Sequence, residues 1–255
     1  MIRSEASGGR ATITIDDPER RNPLSNAAMA EMAAAIHEVC ADDAVRVIVI
    51  TGAGEDVFSA GGDLSGGFVD APLAGHGDRA ALPELFRAMR RCDQPVVARV
   101  NGHAYGGGLG LVAASDLAIC AEHARLGTPE ITVGLWPMVI TAVLKPLVPR
   151  RALFEMMLTG RRFDAAEAQR LGLVNRVAAA DELDAAVDDL VEQLSANSPA
   201  VMALGKRAFY AVEDMDLDTA LDYLHHGLTA VASTEDAAEG IEAFLDKRPP
   251  EWRGR

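Results

Sequence analysis

Two hydrophobic rhythms divide the chain. In its first part, short β-type runs alternate with longer stretches of helical spacing. Residues 11–15 alternate as a short strand, turned by Asp17-Pro18. Residues 45–51 form a near-continuous β-branched run, which predicts a strand covered on both faces. Residues 96–100 read as another buried strand and 117–120 as a third strand-like run. Between them, Asn22-Pro23-Leu24-Ser25 supplies a break and an N-cap for an Ala- and Met-rich helix over 26–40, and 81–91 is a second helix. Strands alternating with helices predict a mainly parallel sheet in an α/β core.

From Met138 onward the period is almost wholly helical, over 138–147, 150–158, 165–171, 182–195, 199–212, 217–233 and 234–247. Ser198-Pro199 is a helix start with proline at the first position. Only 173–177 interrupts as a strand, and the tail 248–255 is not helical. The chain therefore splits near residue 180, into an α/β core (1–180) and a helical C-terminal region (181–255), with no internal repeat.

One stretch breaks both rhythms: Asn101-Gly-His-Ala-Tyr-Gly-Gly-Gly-Leu-Gly-Leu-Val-Ala-Ala-Ser-Asp116. Three consecutive glycines cost backbone entropy and supply no side chain, which suits a place where main-chain N–H groups must approach a ligand. At a helix start those N–H groups lack intrahelical partners, and the macrodipole adds positive charge. The stretch reads as a site for a bound phosphate or a developing oxyanion, or else as a tight strand-to-helix turn packed on a neighbour.

Composition narrows the classes. The 255 residues are 49% apolar and 24% charged, as in an ordinary globular protein. A net charge of -14 argues against nucleic acid or an anionic membrane as the main partner. Cys40, Cys92 and Cys120 are widely spaced with no CxxC pair, which predicts free thiols and a cytoplasmic location rather than a disulfide framework or zinc site. The first ten residues carry no apolar core of signal-peptide length, and no apolar run reaches membrane-spanning length. The histidines show no metal-ligand spacing, so no metal is expected.

Two glycine-bearing turns follow strands of the same expected sheet, Ser59-Ala60-Gly61-Gly62 and Gly106-Gly107-Gly108. If both lie at one edge, an N–H from each converges on a single oxygen, an oxyanion hole built from main chain. The GxGxxG fingerprint fails because its third glycine falls on Leu111, and there is no GK[ST] P-loop. Glu130 sits between Pro129 and Ile131 among apolar neighbours. It reads either as a desolvated acid/base with a raised pKa or as a surface glutamate on a turn. Residues 64–77, Gly-rich, read as a mobile lid or as disorder; Asp70 and His76 lie there. His103 is expected beneath the glycine turn and Asp116 at a strand start, and Trp136 and Met138 line an acyl pocket or pack in the core.

The motifs together resemble one family. They include Asn22-Pro-Leu, Val49-Ile-Thr-Gly-Ala-Gly, Phe58-Ser-Ala-Gly-Gly-Asp-Leu, the stretch 95–116, Pro129-Glu-Ile, Leu158-Thr-Gly, Ala165-Ala-Glu-Ala, Leu171-Gly-Leu-Val-Asn and Glu239-Gly-Ile-Glu-Ala-Phe-Leu-Asp-Lys-Arg. Spread over nearly the whole length, they are similar to the crotonase superfamily, the enoyl-CoA hydratase/isomerase family. The resemblance implies a ββα spiral core with a helical C-terminal oligomerisation region, assembled as a homotrimer or a dimer of trimers. It implies acyl-CoA thioester substrates, with coenzyme A as part of the substrate and no separate cofactor. By position it assigns Ala60 and Gly107 as the oxyanion donors and Glu130 as acid/base. It places Phe58, Ala60 and Asp63 on the adenine side, and Gly106 and Trp136 are further candidates for substrate binding. Arg20 and Arg21 stand where the family meets CoA, and Glu19 where some members have lysine. Phe244 and Lys247 match positions that reach CoA across a subunit boundary, although a solvated helix end explains Lys247 nearly as well.

One departure is specific. Two-carboxylate hydratases carry a first glutamate two residues after the triple glycine, where this chain has Gly110. The family's Gly-Gly-Thr/Ser-Gln-Arg-Leu run is replaced by Pro137-Met-Val-Ile-Thr-Ala-Val-Leu. The chain therefore resembles the one-glutamate branches, including 3,2-enoyl-CoA isomerases and divergent members. Shifting a double bond needs only one base, which removes a proton from one carbon and returns it two carbons away. The expectation is an isomerase or hydratase using Glu130 alone, or a non-catalytic acyl-CoA binder.

Overall fold

The all-apolar run around residue 48 becomes the centre of the main sheet. In a computed structural model that describes residues 1–65 and 74–255, six strands lie in the order β1 (Ile2–Ser7), β2 (Arg10–Ile15), β4 (Val47–Gly52), β7 (Val96–Val100), β9 (Leu117–Ala121) and β12 (Arg176–Ala178). β1 pairs antiparallel with β2, and every later pairing is parallel, with Ile48 opposite Val96 and Val97 opposite Leu117. All six residues of β4 are buried because both sheet faces are covered. Ile48 and Ile50 pack with α1 (Asn26–Cys40), α2 (Ala81–Arg91) and α3 (Gly107–Ala114). Val47 and Val49 point the other way and meet Leu183, Val187 and Leu190 of α7 (Leu183–Ser195). The period of two turns one unbroken apolar run into two half-cores.

A second sheet, in the order β11 (Arg162–Asp164), β10 (Arg125–Gly127), β8 (His103–Tyr105) and β5 (Val57–Ser59), carries the turns of interest. A two-stranded pair, β3 (Pro23–Leu24) with β6 (Gly61–Gly62), extends one of them. The helices α4 (Thr141–Leu144), α5 (Arg150–Thr159) and α6 (Ala165–Arg170) follow, and α8 (Pro199–Val212), α9 (Leu217–Ala232) and α10 (Glu235–Asp246) finish the chain. Ser25, Ser198, Asp216 and Thr234 each accept an N–H of the first turn of their helix, satisfying a donor that would otherwise be orphaned. Asp116 joins α8 to the core: its carboxylate accepts from Val96 N (2.7 Å), Lys206 Nζ (2.6 Å) and the Tyr210 hydroxyl (2.7 Å).

The cysteines depart from expectation. Cys40 ends α1 and Cys92 follows α2, and the two form a disulfide across 52 residues of sequence. Their spacing carries no trace of this, because the pairing arises from α1 and α2 lying side by side. Disulfides are unusual in reducing compartments, so the cysteines no longer argue for the cytoplasm. Cys120 stays free, and burial pushes its thiol up to about 12. No helix among the described residues is long and apolar enough to cross a membrane.

Candidate active site

The glycine turn is where β8 gives way to α3. Gly106 is the N-cap at φ 52° and ψ −122°, a conformation that side chains other than glycine's rarely accept. Its N–H donates to the Gly127 carbonyl at 3.0 Å, pinning the turn to β10. Gly107 opens the helix, so its N–H has no intrahelical acceptor. The second turn lies against it. A Cβ on Gly61 would sit 3.3 Å from Gly107 N, and one on Gly107 would sit 3.7 Å from Gly62 N.

Here the structure corrects an expectation. The Ala60 N–H donates to the Arg21 carbonyl at 2.9 Å, so it is already satisfied and is not the amide that faces Gly107. Asp63 N donates to Leu24 O at 3.0 Å, towards β3. Alternation along the strand then turns the Gly62 N–H away from β3. Among the described residues, an added Cβ on Gly62 would meet nothing within 4 Å. With Pro23 opposite Gly61 and Leu24 opposite Gly62, it is the Gly62 amide, two residues along from Ala60, that this register leaves free of β3.

Glu130 occupies the second position of a 3₁₀ turn, Pro129–Val133, that follows β10. Gly134 closes the turn at φ 76°, and the Glu130 carbonyl accepts from Leu135 N at 3.0 Å. The half-buried carboxylate lies on the glycine turn, with Oε1 2.9 Å from the place a Gly106 Cβ would take. Any side chain at 106 would collide with it. Oε2 is buried and has no hydrogen-bond partner among the described residues. Burial raises the carboxyl pKa, opposed by a backbone hydrogen bond. A partly desolvated carboxyl beside the glycine turn is suited to taking and returning a proton.

Gly110 lies one turn after Gly106, its N–H donating to the Gly106 carbonyl at 3.0 Å. A Cβ there would sit 2.6 Å from Ile140 Cγ2 and 2.7 Å from Phe86 Cζ. The place where the resemblance has a first glutamate is thus closed by hydrocarbon. Nothing in the sequence marks Phe86 or Ile140; the one sign there is Gly110 itself, standing where the resemblance has a glutamate.

The remaining expected residues scatter. Arg20 pairs with Asp63 (2.8 Å) and reaches the Ser65 hydroxyl (3.4 Å) and Asp17 (3.6 Å). Hydrogen bonds from Ser65 and Arg20 hold the Asp63 carboxyl down at about 2. Arg21 is exposed and left-handed at φ 67°. The Phe58 side chain is fully buried in the core, which removes it from any ligand surface. Strand alternation between a tight turn and the sheet interior sends it inward. Trp136 is half-buried against the core, whereas Met138 is 73% exposed. Phe244 and Lys247 belong to α10 and its left-handed end, which packs on α8 and α9. Phe244 shares an apolar groove there with Ile241, Leu245 and Trp252. His103 is half-buried, and its Nδ1 accepts the Arg125 N–H at 3.1 Å. Burial, then the neighbouring His123, lowers its pKa. His76 is exposed on the turn Ala74–His76, and Asp70 lies outside the described residues.

Comparison with known proteins places the chain in a family. The sequence model described as enoyl-CoA hydratase/isomerase matches residues 5–255. Carnitinyl-CoA dehydratase of Salmonella typhi is 38% identical over 251 residues, covering 95% of this chain and 94% of that protein. The crystal structure of an enoyl-CoA hydratase from Mycobacterium smegmatis superposes with a TM-score of 0.94 at 34% identity, covering 98% of each chain. Human enoyl coenzyme A hydratase domain-containing protein 3 superposes at 0.95 with 30% identity, covering 98% of this chain and 99% of that one. With motifs, fold and whole-length similarity in agreement, the chain belongs to the enoyl-CoA hydratase/isomerase family of the crotonase superfamily.

Proposed function

We propose that the protein binds an acyl-CoA thioester and forms its enolate, with the N–H groups of Gly62 and Gly107 on the thioester oxygen and Glu130 as the single acid/base. The observation that carries this reading is the Glu130 carboxylate, partly desolvated and lying on the glycine turn, with Oε2 left unpartnered. The reaction we favour moves a double bond. With a 3-enoyl thioester, the Glu130 carboxylate takes a proton from C2, and the C–H electron pair delocalises onto the thioester oxygen as a dienolate. The same proton then goes to C4, leaving the double bond between C2 and C3. Negative charge appears on the oxygen only in the transition state and intermediate, which is where fixed amide donors are most effective.

Hydration or dehydration remains the second reading, supported by the similarity to proteins named dehydratase and hydratase. Purified protein assayed with 2-enoyl-CoA and 3-enoyl-CoA, beside Glu130→Gln, separates the two. The expected result is conversion of 3-enoyl to 2-enoyl thioester, lost in Glu130→Gln. Water addition to 2-enoyl-CoA as the dominant activity would replace the one-base assignment. Tight binding of CoA thioesters without any turnover would make the protein a non-catalytic binder.

A further inference from the structure

The neighbour of the Glu130 carboxylate along α3 is a wall of hydrocarbon. The Gly110 N–H donates to the Gly106 carbonyl at 3.0 Å, so the two glycines are joined one turn apart at the start of α3. Glu130 covers the first, with Oε1 2.9 Å from a Gly106 Cβ position. Phe86, reaching in from α2, and Ile140, just before α4, cover the second at 2.7 and 2.6 Å. Both are nearly sealed from solvent, at 8% and 3% exposure, and neither side chain holds a polar atom. Leu109 and Leu111 on either side are fully buried. A water held at a fixed point needs two to four polar partners, and this wall supplies none.

We propose that Phe86 and Ile140 are specificity-determining residues, which deny an ordered water and a second proton-transfer group the space beside Glu130. They confine the site to moving a proton between carbons of an enoyl thioester and suppress addition of water across the double bond. In that addition the water oxygen would bond to C3 and its proton would reach C2, so the nucleophile must stand at C3 while a separate group handles its proton. An apolar wall beside the Glu130 carboxylate withholds that separate group. The inference rests on the reading of Glu130 as the base.

The test measures one ratio and one control. The ratio is hydration of 2-enoyl-CoA against isomerisation of 3-enoyl-CoA, measured for the full chain and for Phe86→Ala, Ile140→Ala and the milder Phe86→Leu and Ile140→Val. General damage to the fold lowers both rates together and leaves the ratio unchanged. The control is exchange of the C2 protons of butyryl-CoA in heavy water, which needs the base and the amides but no double bond. The ratio is expected to be small in the unaltered protein and to rise by about tenfold or more when the wall is trimmed. A ratio that stays constant in folded variants, or an unaltered protein that hydrates as fast as it isomerises, overturns the role of the wall. Exchange that survives Glu130→Gln overturns the base assignment, and the wall inference falls with it. Since exchange and ratio are separate measurements, the two failures are told apart.

Discussion

At the scale of single residues, an absent side chain decides as much as a present one. Glu130 sits on Gly106 because no Cβ intervenes, and its charge is partly desolvated in return. A carboxyl whose pKa is raised on folding holds its proton more tightly in the native state than in the unfolded chain. Its charge therefore costs stability as pH rises above the unfolded value of about 4.3. Glu130→Gln is expected to unfold at a higher temperature than the unaltered protein at neutral pH, with the difference vanishing below about pH 4. Calorimetry across pH checks this. The same substitution is expected to lower isomerase turnover by roughly 10²–10⁴. The rate of the unaltered protein should rise with pH through a midpoint above the ordinary glutamate value, since the base acts only when ionised. Gly110 gives a purely steric prediction. Gly110→Ala forces a methyl to within 2.6 Å of Ile140 Cγ2 and 2.7 Å of Phe86 Cζ. Overpacking of this kind costs about 1–3 kcal/mol, read by denaturant unfolding, and adding Phe86→Leu should recover part of it.

At the scale of elements, what could be read from the sequence is what its periodicity expressed. Helix α1 spans Asn26–Cys40 and α8 spans Pro199–Val212, as their apolar spacing and capping residues predict, and Val96–Val100 is a strand because its run is apolar and bounded. The second sheet leaves no pattern in the sequence because β5, β8, β10 and β11 have three residues each, too few for a period to register. The helix expected over 138–147 shrinks to Thr141–Leu144, and the strand expected over 173–177 shifts to Arg176–Ala178. Among the candidates for the site, Glu130 and Gly107 stand out from local chemistry alone. Gly62 does not, because which amide along a turn is left free of β3 depends on the register of β3 with β6. The Cys40–Cys92 bond was hidden for the same reason, since only tertiary packing brings the ends of α1 and α2 together. Closing a loop of 52 residues restricts the unfolded chain, and its reduction should cost about 2–4 kcal/mol. Thermal unfolding with and without a thiol reductant reads this, and Cys40→Ser should show the reduced behaviour in both conditions.

At the scale of the whole molecule, the main question is what covers the C-terminal helices. Leu217, Leu221, Leu224 and Leu228 of α9 are 72%, 56%, 39% and 67% exposed. Their spacing of four, three and four places all of them along one stripe of the helix. Nearby, Ile241, Phe244 and Leu245 of α10 are 65%, 81% and 71% exposed. A monomer seldom leaves so much contiguous apolar surface in water, and a net charge of -14 spread over the rest disfavours indiscriminate association. An ordered stripe on an otherwise charged surface supports a specific self-association, and the family resemblance implies a trimer or a dimer of trimers. The expected outcome by sedimentation at micromolar concentration is therefore a trimer or hexamer. Leu221→Glu combined with Leu228→Glu should shift it to monomer by placing charges on the stripe. Both side chains are more than half exposed in the single chain, so the substitutions should leave the protomer folded, as circular dichroism would verify. A monomeric unaltered protein would mean that the stripe serves some other contact. If instead dissociation abolishes CoA-thioester binding along with assembly, Phe244 and Lys247 gain the cross-subunit role that the single chain, with α10 packed on α8 and α9, does not give them.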